Sequence, residues 1–570
     1  MSSMGASRAR ALAKAVAVAV FTVLGSGCTA DGGAADAAAT RVYLNGRVWT
    51  GESDGGFAKA FAVSGNRIVA VGDDAGVLAK AGKGAQRIDL GGKLVVPGFM
   101  DNHTHFLDSS LSLASVDLRD ASTPAEFSRR IVARAKERPG EWITHGNWDH
   151  ELWDATLPSR DWIDGGTVGT PVFVVRLDGH MGLANAAALK LAGIDASTPD
   201  PVGGKIIKDA KGEPTGLLKD AAMNAVYAAI PVPAEQRVNE AMRRGFSEAL
   251  SHGVTQVHDM SDGNWRTLEA FRRLKSQGRL PLRVYSFVPV ADWAKLADFV
   301  RSNGRGDDWL RWGGLKGFVD GSLGSTTAWF YEPYADAPQT SGLQMVNLDD
   351  LAKQIQGADR AGLQVAVHAI GDHAIDWLLD TYERVEKEDG PRDRRFRNEH
   401  AQHLRPAAFA RYRQLGVIAS MQPYHAIDDG RWAEKRIGPE RIKGTYAFRS
   451  FLDAGVVLTF GSDWAVAPID PITGIDAAVN RRTIDGKNPG GWQPQQRISV
   501  AEAVRAYTVS NAYAGFQEDR LGRIAPGYLA DFVVLSQDIF SIDPLRIPDT
   551  KVLSTVIDGV ERYSAPRVPK

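Results

Sequence analysis

The sequence predicts an α/β chain: a TIM-type (β/α)8 barrel, a small β-sandwich built from both termini, and an insertion after the first barrel strand. Three observations carry that prediction. Eight apolar runs of strand length are separated by helix-length amphipathic sequence. Short hairpin-like strands stand at both ends of the chain, and neither group could bury its faces alone. Histidines and an aspartate fall where the apolar runs end, the face on which such a barrel carries its chemistry.

The first 28 residues form an expected signal peptide. Arg8, Arg10 and Lys14 precede an apolar run over 15–24 that is too short to span a bilayer. Gly25-Ser26-Gly27-Cys28 resembles a bacterial lipobox, which implies a lipid on Cys28 and an exported protein, periplasmic or anchored to a membrane. Gly25 stands where that motif usually has leucine, with Leu24 one position early, so ordinary cleavage near Ala30 or Ala37 is the alternative. Cys28 is the single cysteine, and disulfides are therefore excluded. Residues 29–40 are a small-residue linker.

Strands are expected over 41–44, 47–50, 60–63, 67–71 and 87–90, with hairpin signals at Asn45-Gly46 and Ser64-Gly65-Asn66. With similar strands over 530–535 and 552–559, they make a sandwich from residues 41–95 and 516–570. The barrel takes 96–515. Its strands are the run ending at His103 and those over 254–257, 282–288, 315–319, 365–369, 397–400, 417–421 and 456–460. Residues from about 106 to 240 exceed one β/α unit, contain extra strands over 142–146 and 172–176, and are assigned to an insertion over the barrel mouth.

With 570 residues, 44% of them hydrophobic, and a net charge of −1, the chain has a large core and no electrostatic footprint for nucleic acid or an anionic membrane. A small molecule is the expected partner. His103 and His105 are one residue apart at the end of an apolar strand, so alternation turns both imidazoles the same way, as a metal requires. His368, His400 and Asp463 stand at later strand ends. Lys316 lies inside a strand and must be paired, neutral or chemically modified if it points into a barrel; an ion pair with Asp320 is its plainest alternative.

Several motifs recur in fixed order: Pro97-Gly98-Phe99-Met100-Asp101-Asn102-His103-Thr104-His105, Asp178-Gly179-His180, Lys316-Gly317-Phe318-Val319-Asp320-Gly321-Ser322, Val367-His368-Ala369-Ile370-Gly371-Asp372, Glu399-His400-Ala401-Gln402, Ser420-Met421-Gln422-Pro423 and Gly461-Ser462-Asp463-Trp464. From residue 41 onward this series resembles the amidohydrolase superfamily, and within it the amidohydrolase-3 group that includes N-substituted formamide deformylases.

That resemblance implies a hydrolase of a non-peptide C–N bond in a small amide, with two divalent ions, zinc, as cofactors. His103 and His105 resemble ligands of the first ion and His368 and His400 those of the second. Lys316 resembles the lysine that becomes a bridging carbamate. Asp463 resembles the aspartate that binds the first ion and shuttles the proton from a metal-bound hydroxide to the leaving nitrogen. Either His180 or His425 could polarise the substrate carbonyl. Trp148, Trp153, Trp329, Tyr331, Trp432 and Trp464 are candidates to line a pocket for an N-aryl or N-alkyl group. The same site would suit esters or carbamates. A barrel kept only for binding or regulation is the reading from another class, and the intact set of ligand residues argues against it.

Overall fold

The computed structural model describes residues 40–52, 56–260 and 264–566. The expected signal peptide, Cys28 and the linker up to residue 39 lie outside them. Eight parallel strands follow the order of the chain: Phe99–Thr104, Val254–Asp259, Arg283–Pro289, Leu310–Phe318, Gln364–Ala369, Arg397–His400, Ile418–Met421 and Leu458–Phe460. Their burial is nearly continuous, as a sheet covered on both faces demands. The covering helices are amphipathic. Glu235–Ser251, for instance, turns Val238, Met242, Phe246 and Ala249 inward.

The sheet closes through the residues beyond its last strand. The Asp463 N–H donates to the His103 carbonyl at 2.8 Å, and the His105 N–H donates to the Trp464 carbonyl at 2.9 Å. Asp101 stitches this seam by accepting the N–H groups of His103 (3.1 Å) and Ser462 (2.9 Å) and the Ser462 hydroxyl. Burial raises the Asp101 pKa to about 7 against the pull of those donors.

The apolar run that ends in the two histidines is two strands. Leu94–Pro97 pairs antiparallel with Phe532–Leu535, and Phe99–Thr104 enters the barrel. Gly98 is the joint, because a side chain there would sit 2.3 Å from Thr255 Oγ1. The barrel sheet therefore begins at Phe99, a few residues later than the expected boundary at 96.

The terminal strands form a four-stranded and a six-stranded sheet, the second containing strands from both ends of the chain. Tyr43 stacks on Phe61 with ring centres 4.6 Å apart, and Phe532 meets both rings edge-on. Arg283, fully buried at the start of the third barrel strand, donates to Asp531 at 2.6 and 2.9 Å and to Asp558 at 3.0 Å. This pins barrel to sandwich.

Between the first two barrel strands the insertion builds a five-stranded sheet, in the order Gly204–Lys208, Pro214–Asp220, Met181–Ala184, Val172–Arg176 and Ile143–Trp148. The two strands expected here are its last two. Buried ion pairs strap the insertion to the barrel loops, Arg431 to Asp149 (2.8 Å) and Arg436 to Glu151 (2.7 Å), while Arg176 pairs within the insertion with Asp149 (3.0 Å) and Asp178 (2.7 Å). Asp178 also accepts the hydroxyls of Ser322 and Ser325.

Removing one partner of a buried ion pair leaves the other charge uncompensated, at a cost of about 3–5 kcal/mol. Asp531→Ala should therefore lower stability to urea by about that amount. An unchanged denaturation midpoint would show that Arg283 does not anchor the sandwich.

Candidate active site

His103 is the last residue but one of the first strand, and His105 is the N-cap residue of the helix Phe106–Ser112 that follows. The two rings converge on one carboxylate oxygen, as the spacing predicts: Asp463 Oδ1 lies 3.6 Å from His103 Nε2 and 3.2 Å from His105 Nε2. Its second oxygen lies 3.8 Å from His400 Nδ1. The rings of His105, His103, His400 and His368 follow one another in an arc, with centres 5.5, 4.8 and 4.4 Å apart. Ligand atoms of His103, His400 and Asp463 all fall within 4.8 Å of one another. His400 (φ 75°) and Asp463 (φ 59°) both hold left-handed backbone, a strained state that the seam bonds of Asp463 and the parallel pairing of the fifth and sixth strands keep in place.

Lys316 enters this group from the fourth strand. It is buried, and its Nζ lies 3.0 Å from His103 Nε2. The Asp320 carboxylate is occupied by backbone N–H donors of Trp329 (2.7 Å), Gly371 (2.8 Å) and Ile370 (3.0 Å). Burial raises the Asp320 pKa to about 7. His368 stands beside His400 but is turned outward from the tight trio, with Nε2 3.0 Å from the Gly321 carbonyl.

The electrostatics favour a cation. Burial, with the nearby Lys316 charge, lowers His103 to about 4, and burial holds His368 and His400 well below the ordinary histidine range. These imidazoles are neutral, the form that ligates metal. Burial works to raise Asp463, but His103, His105 and His400 outweigh it and keep the carboxylate ionised. Asp463 Oδ1 is buried and lies 3.2 Å from His105 Nε2 and 3.6 Å from His103 Nε2. An anionic oxygen ringed by imidazole nitrogens is a donor set that a divalent ion completes.

Glu399 is the functional residue that sequence reasoning passed over. Its Oε2 lies 2.5 Å from His103 Nδ1, which fixes the ring and leaves Nε2 facing Lys316 and Asp463. Arg397, fully buried on the same face of the sixth strand, contacts Glu399 Oε1 at 2.6 Å, and Ser420 donates to Oε2 at 2.6 Å. Burial would raise Glu399, yet Arg397 and His103 hold it far below the carboxylate range. The sequence signal was Arg-x-Glu inside an otherwise buried strand, where alternation pairs the two charges.

The two candidate carbonyl-polarising histidines stand beside the last two rings of the arc, His425 next to His400 and His180 next to His368. His180 reaches in from the insertion; its Nδ1 is 2.6 Å from Asp220 Oδ1 and its ring is 5.0 Å from that of His368. Burial opposes its charge, but Asp220 prevails and raises its pKa. His425, on the helix Pro423–Asp429, lies parallel to His400 with ring centres 6.4 Å apart. Its Nε2 is buried without a partner among the described residues. Most of the expected aromatic lining is spent on packing. Trp148 and Trp153 lie against Phe127 in the insertion core, Trp432 lies beside Arg176 and Arg436, and Trp464 meets Phe106 edge-on. Trp329 and Tyr331 sandwich His373 at 3.7 and 3.9 Å.

The profile of the amidohydrolase family matches residues 86–563. This chain belongs to that family. Among its relatives, Protein LONG AFTER FAR-RED 3 of Arabidopsis thaliana is 41% identical over 92% of this chain and 91% of its own length. The N-substituted formamide deformylase of Arthrobacter pascens is 30% identical over 92% of this chain and 98% of its own length. The crystal structure of an uncharacterized metal-dependent hydrolase from Pyrococcus furiosus superposes with a TM-score of 0.70 at 32% identity, covering 88% of this chain and all of that one. This amidohydrolase is a metal-dependent hydrolase of the amidohydrolase superfamily, with a barrel whose His/His/Asp group forms its candidate metal centre.

Glu399→Gln keeps the shape of the side chain and removes the charge behind His103. Metal affinity, measured by chelator competition, should fall about 10- to 100-fold. Unchanged affinity would show that Glu399 does not tune the ligand.

Proposed function

We propose that this amidohydrolase cleaves a non-peptide C–N bond of a small amide and holds two zinc ions. His103, His105 and Asp463 would hold one, and His368 and His400 the other, with Lys316 as a carbamate between them. The observation that carries this reading is the buried Asp463 oxygen facing His103 and His105 within the arc of imidazoles, with the Lys316 amine 3.0 Å from His103 Nε2. The deformylase named above, similar along nearly its whole length, supports the amide class.

A divalent ion bound here lowers the pKa of water towards neutrality and withdraws electrons from a carbonyl. The chain supplies the rest. Asp463, kept ionised, accepts a proton from the attacking water and passes it to the leaving nitrogen. His180, oriented by Asp220, whose carboxylate raises its pKa, donates a hydrogen bond to the substrate carbonyl oxygen. Lys316 forms its carbamate when the free amine adds to carbon dioxide and releases one proton, which turns a buried amine into an anion with two oxygens. The insertion, strapped down by Arg431 and Arg436, excludes bulk water and large substrates. We further propose that the protein is exported and anchored through Cys28.

Lys316→Ala should lose most activity on responsive N-substituted formamides and about one metal ion per chain by elemental analysis. Added acetate or propionate should restore part of both by supplying the missing oxygens. Lys316→Arg keeps the charge but cannot form the carbamate. Near-normal activity and metal content in Lys316→Arg would remove the carbamate and the two-ion arrangement together.

Mass spectrometry of the native N-terminus should find residues 1–27 removed and lipid on Cys28. A mature chain that begins beyond Cys28 would replace the lipid anchor with a freely soluble exported form.

A further inference from the structure

The motif Ser420-Met421-Gln422-Pro423 lies at the end of the seventh barrel strand, beside the strand that carries Glu399 and His400. The reaction described above makes no use of it. The strand Ile418–Met421 runs directly into the helix Pro423–Asp429, and Gln422, the N-cap residue between them, keeps extended backbone at φ −121° and ψ 102°. Alternation therefore turns Ser420 and Gln422 to the same side. Both residues are fully buried. Backbone bonds hold this end of the strand: the Gly461 N–H donates to the Met421 carbonyl at 3.1 Å, and the His425 N–H donates to the Gln422 carbonyl at 3.2 Å.

These two residues stand behind the two histidines of the tight trio. Ser420 acts through Glu399: its hydroxyl donates to Glu399 Oε2 at 2.6 Å, and the same oxygen lies 2.5 Å from His103 Nδ1. Gln422 acts directly, with its Oε1 2.9 Å from His400 Nδ1. When Nδ1–H donates to that amide oxygen, the lone pair of His400 is left on Nε2, the form a metal needs. The Gln422 amide makes no other hydrogen bond among the described residues, and its Nε2 is buried without one. A buried donor left unmet costs stability, so packing alone gives no reason for an amide here. The two backings also differ in charge. A carboxylate makes a charge-assisted bond and raises the basicity of the ring in front of it, whereas a neutral amide fixes the tautomer and adds little electron density.

We propose that Gln422 is the positioning residue of His400: it fixes the ring as a metal ligand and, being neutral, leaves the ion on His400 more weakly held and faster to exchange than a carboxylate in its place would. This inference rests on the metal-centre reading. The two-ion arrangement enters only in naming the ion between His368 and His400 as the one that responds.

The test is zinc release from the loaded protein into rising concentrations of a competing chelator, read by elemental analysis of the protein after gel filtration. Native protein should release its zinc in two steps, the weaker one from His400. Gln422→Met is similar in size and has no amide acceptor, and it should loosen the weaker step about 10- to 100-fold while the stronger step stays in place. Gln422→Glu keeps the acceptor and adds a charge, and it should tighten the same step beyond the native value. Circular dichroism and the retained stronger step confirm that both variants are folded. A merely structural role would not move the two variants in opposite directions. Unchanged release from Gln422→Met, equal loosening of both steps, or loosening by Gln422→Glu as well, overturns the proposal. A single release step, loosened by Gln422→Met and tightened by Gln422→Glu, would keep the role of Gln422 and count against the two-ion arrangement.

Discussion

Arg397, Glu399 and Asp463 are charges placed where burial would normally neutralise them, and the barrel interior is arranged so that each meets a partner. Arg397 faces Glu399, Glu399 orients His103, and His103 presents its free nitrogen to Asp463 and Lys316. Each member fixes the next. Arg397 also donates to the carbonyl of Asn102 at 2.7 Å and contacts His258 at 3.1 Å, so the chain is tied to the strand that carries His103. In a low dielectric these pairings are strong when complete and costly when broken, which makes the centre rigid before any ligand binds.

The same constraint explains why the seam of the barrel coincides with the site. The last strand is only three residues long, and closure depends on Asp101 and on the residues around Asp463. A loop residue would ordinarily be mobile. Here Asp463 is fixed by its own backbone bond to His103, so closing the sheet and placing this carboxylate are one event.

Much of this was legible in the sequence. Eight apolar runs of strand length pointed to the barrel because a sheet buried on both faces leaves continuous hydrophobic strands. His103, His105, His368, His400 and Asp463 stood out as polar groups ending such strands. Less visible features arise from contacts between distant residues. The break at Gly98 reflects close approach of Thr255, which local pattern does not encode. Strands Gly204–Lys208 and Pro214–Asp220 carry mixed burial, and their alternation is correspondingly weak. The role of Glu399 depends on which charges meet it in space, and the turn of His368 towards Gly321 depends on a loop from another strand. Tryptophans that suggested a lined pocket are needed by the insertion core and by arginine contacts, because burying a large ring stabilises whatever interface takes it.

Anomalous diffraction at the zinc edge, from crystals of protein purified without chelator, tests the central claim most directly. Two peaks are expected: one among His103, His105 and Asp463, the other between His368 and His400, with added density continuous from Lys316 Nζ and reaching towards both. Peaks elsewhere, or no metal at His103 and Asp463 in fully loaded protein, would contradict the account of this centre.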